Sequence, residues 1–446
     1  MPGHSHGWSD ATAPFTLRLG LFLLFCAVVL NGLIYATAPA QLKENALNHS
    51  WDVVHGRGSD DSWGAMQAGL DYFATPNTTP LYSEIFFNRQ YRFQYPPSAL
   101  FTLQGLQWLA PDNVRTNEVQ TFPGVTLNDL VGWAFILATS LAAAALLELQ
   151  VRKRYEVHSH VLVAARVAIA AGFTLTFYPI VKAYTLGQLQ VWINGLFAVA
   201  LLCWALGWKS LSGFLVGLTC LMKPHYGLFL AWALLRAEWR FMAVCAATVA
   251  AGLGAAVLVF GFANHIDYLR VVSFLGERGE AYYPNHCING LLNRIMSIVD
   301  PEQYKNLEFV AGHFPPFNPW VYGLTVSSSA AILAAALLHR SATGDPARLY
   351  DFCLMALSCT MASPIAWEHH YGILLPIFAV LVVAVAPKPL ALGLLAAAYA
   401  LASVYIPATM LLAPTPLNFA QSYLLFAALI VLALLHWRPW ADAEVS

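Results

Sequence analysis

Long apolar runs alternate along the chain with short polar connections. A membrane-spanning helix takes about 20 mostly apolar residues. That rule predicts helices over roughly 16–38, 127–149, 160–182, 188–207, 240–262, 319–339, 350–364, 370–386, 389–406 and 420–437. The region 210–236 is longer than one span and is interrupted by LMKPHYG. Proline disfavours helix in the residue before it, so this region reads as two shorter passes meeting at Lys223-Pro224. The pattern predicts an all-α polytopic membrane protein with about 12 crossings, in a single domain over residues 1–446.

Composition supports this class. Of 446 residues, 58% are hydrophobic and only 11% charged, against about 25% charged in soluble domains. The mean hydropathy is +0.57. Nothing in the composition points to a nucleic-acid partner; membrane lipids are the expected surroundings. The seven cysteines lie mostly in apolar runs and show no CxxC spacing, so neither a disulfide framework nor a zinc site is expected. The run 16–38 ends in Tyr35-Ala36-Thr37-Ala38, similar to a signal-peptide cleavage site. It is longer than a usual signal core and has only Arg18 nearby, so it is taken as a helix that stays.

Charge sets the expected sidedness. With the N-terminus in the cytoplasm, Arg152-Lys153-Arg154, Lys209, Arg236 with Arg240, Arg340 with Arg348, Lys388 and Arg438 all fall inside. Segments 39–126 and 263–318 become large outer loops, periplasmic in a bacterial inner membrane. Unusual polar residues then collect on the outer side. They are Asp60, Asp61 and Asp71, Arg92, Lys182 and Gln188, Lys223 and His225, Arg278, Asn285, His286, Asn289 and Arg294, and finally Glu368, His369 and His370 within SPIAWEHHYG. Ionisable groups at membrane depth cost about 2.5–3.5 kcal/mol on insertion scales and usually face a cavity or a partner. Several hairpin tips supplying such groups on one side predict a shared polar cavity.

No P-loop, dinucleotide fingerprint or HExxH helix is present. A carboxylate there could act as general base, and the basic groups could hold a phosphate. Each residue also has a plainer role available. Asp60 or Asp61 could cap a helix. Lys223 could snorkel beside a proline kink. Gln188 could cap its helix, Arg92 could sit at headgroup level, Glu368 could orient a histidine, and one of the histidines could pack on Trp367.

Five features in this order carry a family likeness. They are Asp60-Asp61 opening the first outer loop, Pro80-Leu81-Tyr82 followed by YPPSALF, LGQLQ, GFLVGLTCLMKPHYGLFL, and SPIAWEHH. The chain resembles glycosyltransferase family 87 over roughly residues 55–375. These are polyprenyl-phosphate-mannose-dependent mannosyltransferases of bacterial membranes, in the GT-C superfamily. The resemblance implies a GT-C-like bundle and inverting transfer of a sugar, most simply mannose, from a polyprenyl phosphate to a lipid or glycan acceptor at the outer face. It maps the catalytic base onto Asp60 or Asp61, with Asp61 favoured because Ala65 and Ala68 follow at helical spacing. Donor contacts are expected from Lys223, His225, Gln188, His369, His370, Glu368, Arg92 and Arg294. No cofactor or metal is expected, because polyprenyl phosphate is itself a good leaving group. The turn NHCING departs from the Asn-Gln-Ser-like turn more usual in the family. The competing expectations are a lipid-linked glycan polymerase or flippase, which would need no early aspartate, and a secondary transporter.

Overall fold

A computed structural model of the chain describes residues 9–38, 44–116, 124–155, 159–304, 307, 314–339 and 345–438. Arg340 and parts of segments 39–126 and 263–318 lie outside the described residues. The helices are α1 (Ser9–Thr37), α2 (Ala46–Val54), α3 (Asp61–Ala74), α4 (Leu100–Leu109), α5 (Leu127–Tyr155), α6 (His160–Thr176), α7 (Tyr178–Thr185), α8 (Gln190–Ala205), α9 (Lys209–Met222) and α10 (Leu228–Leu235). They continue with α11 (Trp239–Phe260), α12 (Phe262–Arg278), α13 (Ile288–Val299), α14 (Pro301–Tyr304), α15 (Pro319–Leu338), α16 (Asp345–Met361), α17 (Leu374–Val385), α18 (Pro389–Ala402) and α19 (Tyr423–Trp437). Among the described residues the only β pairing is one isolated bridge, Asn285 to Trp367.

Among the described residues six helical stretches are long and apolar enough to cross a membrane: Leu17–Thr37, Leu127–Arg154, Trp239–Phe260, Pro319–Leu338, Glu368–Val385 and Asn418–Trp437. Their outer faces carry large apolar side chains that protein does not cover, such as Phe25 (65% exposed) and Leu258 (87%). Faces of this kind are stable against lipid rather than water, and the chain is a polytopic membrane protein. A seventh span forms if α6 and α7 are taken together. Sequence predicts one straight helix there, but the pair is bent by 59°. The bend falls at Phe177, which is extended (ψ 103°) just before Tyr178-Pro179. A continuous helix would drive the Pro179 ring into the carbonyl four residues earlier. Other expected crossings fall on apolar helices of 14 to 17 residues, α8, α9, α16 and α18. At 1.5 Å per residue these measure about 21–26 Å, shorter than the ~30 Å hydrocarbon layer.

The interruption at Lys223-Pro224 is a hairpin tip. Gly213 of α9 lies against Phe241 of α11, Gly217 against Cys245 and Thr248, and Leu221 against Gly252. Both numbers rise together, so α9 and α11 run parallel. The chain therefore reverses between them, through one 3-10 turn (Pro224–Gly227) and the short α10. The break expected within 210–236 is present, but its two arms, α9 of 14 residues and α10 of eight, are each shorter than a membrane span. Their tip is level with residue 252 of α11, which continues to Phe260. The tip is thus recessed by about two helical turns.

The first outer segment is helical too. Its α2 is clamped to α7 by Glu44, which accepts hydrogen bonds from His49 Nε2 (2.6 Å) and Lys182 Nζ. Burial pushes the Glu44 carboxyl up, but the His49 hydrogen bond and the Lys182 charge outweigh it and hold it at about 2. Lys182, expected among the polar residues of the outer side, is engaged in this clamp.

The α9–α11 contact depends on Gly213 and Gly217, four residues apart on one helix face, where a Cβ would meet the facing backbone and Thr248. Gly217→Leu is expected to lower stability by about 1–3 kcal/mol. It should appear as a lower apparent unfolding temperature in detergent. An unchanged unfolding temperature would show that the two helices are not tightly packed there.

Candidate active site

Residues 59–62 run alongside residues 185–187. Ser59 N donates to Thr185 O (2.9 Å), Asp61 N to Leu186 O (3.1 Å) and Ser62 N to Gly187 O (3.2 Å). Gly187 has φ +67°, and a Cβ there would collide with the Ser59 carbonyl. Only glycine takes both that backbone conformation and that approach at low cost. The next residue, Gln188, reaches across: its Nε2 donates to Asp61 Oδ2. Its Oε1 accepts from Ser62 Oγ (2.9 Å) and from the Tyr95 hydroxyl (3.0 Å). Ser62 Oγ in turn accepts from Leu189 N (2.9 Å). The LGQLQ segment thus fixes one oxygen of Asp61. The doublet is also separated: Asp60 is buried at the N-cap position of α3, while Asp61 is exposed and lines a cavity.

SPIAWEHHYG is held from the other side by the turn at 285–287. Asn285 Oδ1 accepts from Ala366 N (2.9 Å), and its Nδ2 donates to Pro364 O (3.2 Å) and Glu280 O (2.9 Å). His286 N donates to Ala366 O (2.8 Å), and Cys287 Sγ donates to Pro364 O (3.1 Å). In NHCING, then, Asn285 is the group that shapes the segment, and His286 is fully buried with Nε2 4.0 Å from Glu368 Oε1. After this segment a 3-10 helix (Glu368–Ile373) leads into α17. His370 Nδ1 accepts from Trp367 N (2.6 Å). A neutral His370 therefore carries its proton on Nε2. Asn194 of α8 donates to His369 O (3.3 Å) beneath the turn.

A cavity of about 340 Å³ opens between these segments. Its polar wall carries Asp61, Arg92, Gln188, Lys223, His225, His369 and His370; Leu228, Val272, Leu275 and Leu333 form an apolar wall. Seven of the ten expected site residues share this one space. The other three do not line it. Asp60 sits at the start of α3, and Glu368 is buried beside His286. Arg294 is fully buried: it donates to Asn285 O (3.0 Å), Ser422 Oγ (2.8 Å) and Tyr283 O (2.5 Å), tying α13 to the 283–285 turn and to α19. A separate apolar cleft elsewhere in the bundle contains none of these groups. Among the described residues no group of three or more His, Cys, Asp or Glu side chains is arranged to hold a metal ion.

Sequence reasoning missed Glu280, in ERGEAYY. It is fully buried beside the cavity, accepts from Trp367 Nε1 (2.6 Å), and lies 3.9 Å from Arg92 Nη1. Arg92 Nη2 is buried without a hydrogen-bond partner. Burial pushes the Glu280 carboxyl up to about 7, with the nearby Asp61 charge adding to the rise and Trp367 and Arg92 opposing it. In sequence Glu280 looks like one more acid on a polar loop. Only its depth sets it apart.

The match to glycosyltransferase family 87 covers residues 93–364, more than half of the chain. No curated protein matches. The matched stretch contains Gln188, Lys223, His225 and Glu280; Asp61, Arg92, His369 and His370 join them through the geometry of the cavity. The chain belongs to glycosyltransferase family 87 and is a glycosyltransferase of the membrane.

Proposed function

We propose that this protein is an inverting glycosyltransferase that moves a sugar, mannose on the family resemblance, from a polyprenyl phosphate to a lipid or glycan acceptor. Its site faces the periplasmic side of a bacterial inner membrane, and its GT-C-like bundle has about 12 crossings, counting the shorter helices. One observation carries this function: a carboxylate, a guanidinium, a lysine and three imidazoles line the same cavity as apolar side chains of α10, α12 and α15. That division matches a donor with an apolar tail and an anionic head.

In the proposed reaction Asp61 accepts the proton of the acceptor hydroxyl as its oxygen attacks the anomeric carbon. The bond to the polyprenyl phosphate oxygen breaks on the opposite face. Positive charge develops on the sugar ring and negative charge on the leaving phosphate. Lys223 and Arg92 are placed to meet that phosphate, with His225, His369 and His370 as hydrogen-bonding groups. Fixed donors aimed at developing charge provide much of the acceleration in such sites. The tip at Lys223 sets these groups about two helical turns below the Phe260 end of α11. Gln188 is a positioning residue: it holds one Asp61 oxygen, Oδ2, at the cavity wall. Glu368 and Arg294, both outside the cavity, support the site by packing rather than by touching the donor.

Asp61→Asn is expected to slow release of polyprenyl phosphate from polyprenyl-phosphate mannose by about 10²–10⁴-fold, with donor binding retained. Asp60→Asn should stay within about tenfold of wild type, because Asn suits a helix N-cap as well as Asp does. Equal rates in wild type and Asp61→Asn would overturn the assignment of the base. No release by the wild type from this donor would rule out mannose as the transferred sugar.

Gln188→Leu keeps much of the side-chain bulk but removes both hydrogen-bonding ends. It should lower kcat by about 10²-fold with KM little changed, because the carboxylate is misaimed while the donor contacts stay. A raised KM at unchanged kcat would make Gln188 a donor ligand instead.

Glu280 yields a pH test. Its carboxyl sits above the ordinary value, so the folded state favours the protonated form. The associated stability is full below about pH 4.5 and is lost as pH rises through about 7. Glu280→Gln is neutral at all pH. Relative to it, wild type should lose about 3 kcal/mol as pH rises from about 4.5 through 7 and level off above, read from apparent unfolding temperatures of both proteins between about pH 4 and 9. A pH-independent difference would show that Glu280 stays charged, paired with Arg92.

A further inference from the structure

A second cavity, of about 120 Å³, lies away from the active site between α1, α5, α6, α17 and α18. Its lining is apolar, from Leu17, Gly20 and Leu23 of α1 to Phe378 and Val382 of α17 and Leu392 of α18, with one charged exception, Arg166. Arg166 is 2% exposed. Its Nε donates to Glu148 Oε2 (2.6 Å), but neither Nη1 nor Nη2 has a hydrogen-bond partner. Two unmet guanidinium nitrogens in an apolar intramembrane cleft are costly, and a ligand with acceptor oxygens would relieve them.

The cleft has direction. Arg166 is near the start of α6 and Phe173 near its end, and both line the cavity. Phe173, Phe378 and Tyr399 pack on one another at the far end, with ring centroids 5.1 and 5.5 Å apart. The Arg166 end is the end of the bundle where α5 terminates in Arg152-Lys153-Arg154 and where Lys388 joins α17 to α18. Arg152 also donates to Glu148 (2.7 Å), so that one carboxylate faces two guanidinium groups. The local balance is positive. The opening is apolar along its length and cationic at one end. These are the features of an acyl chain site with an anionic headgroup at its mouth.

We propose that this cleft binds one anionic glycerophospholipid, with its phosphate on Arg166 and one acyl chain between α1 and α17. The site is separate from the donor cavity: the two share no residue. Lipid binding there is independent of the sugar-transfer chemistry. The lipid would fill the space between α1 and the rest of the bundle, where α1 is otherwise mostly uncovered.

Native mass spectrometry of the full chain released from detergent tests this, with phosphatidylglycerol or phosphatidylcholine added. One basic group at an anionic lipid is worth about a fivefold preference. Wild type should therefore retain one phosphatidylglycerol, about fivefold over phosphatidylcholine. Arg152→Gln with Arg166→Gln removes both cations, keeps hydrogen-bond donors to Glu148, and should abolish the preference. Ala379→Leu narrows the cleft from α17 and should lose bound lipid of both kinds. Asp61→Asn should retain the lipid as wild type does. Equal retention of the two lipids by wild type, or a preference that survives in the double variant, would overturn the proposal. If the double variant fails to fold, undiminished lipid retention by Ala379→Leu would overturn it independently.

Discussion

Three backbone hydrogen bonds, from the amides of Ser59, Asp61 and Ser62 to the carbonyls of Thr185, Leu186 and Gly187, decide where the exposed carboxylate stands. The two segments are more than a hundred residues apart in the chain, and they pair only because Gly187 has no side chain and a left-handed backbone. This contact aligns α3 with the start of α8 and puts Gln188 against Asp61. If it were lost, Lys223, His225, His369 and His370 would stay on their turns but Asp61 would have no fixed position relative to them. Catalysis by proximity depends on such positioning to within about an ångström.

The second requirement is to bring polar groups to membrane depth without leaving backbone groups unpaired. Lipid offers no hydrogen bonds, so breaks in helices are tolerated only where protein or a water-filled cavity supplies partners. Each break here obeys that rule. At Lys223-Pro224 the chain turns through a 3-10 segment, with Tyr226 N donating to Lys223 O (3.2 Å). At 363–370 the partners come from Asn285, which meets Ala366, Pro364 and Glu280 at once. Proline opens both places, and in each a histidine-containing turn then faces the cavity.

Much of this was legible in sequence. Apolar run length located the helices to within a few residues, and the reversal at Lys223-Pro224 stems from one proline. The convergence of Asp61, Arg92, Gln188, Lys223, His225, His369 and His370 in one cavity agrees with the shared polar cavity expected from charge sidedness. Three things were not legible. The bend at Phe177 needs a tertiary partner to hold it, and Tyr178 N finds one in Ser403 O (3.3 Å). Arg294 and Glu368 look like site residues because charged side chains are rarely structural in such chains, yet buried carbonyls take up Arg294, and Glu368 is buried outside the cavity beside His286. Glu280 could not be told from the nearby, exposed Glu277, because its burial is set by α13 and SPIAWEHHYG, neither of which is near it in local pattern.

Asp61 and Glu280 illustrate how one cavity can keep two carboxyl groups in different states. Asp61 is solvent-exposed and hydrogen-bonded by an amide donor. Glu280 is enclosed, and the neighbouring Asp61 charge raises its affinity for a proton further. Separated environments of this kind are how a site assigns distinct roles to chemically similar groups. The consequence falls on Arg92. When Glu280 holds a proton, the guanidinium keeps its full charge toward the cavity, with Nη2 still unpartnered. An incoming phosphate then meets a cation whose neutralising partner has been withdrawn. A single buried acid thereby couples the proton state of the wall to the charge presented to the donor, without itself touching the reacting atoms.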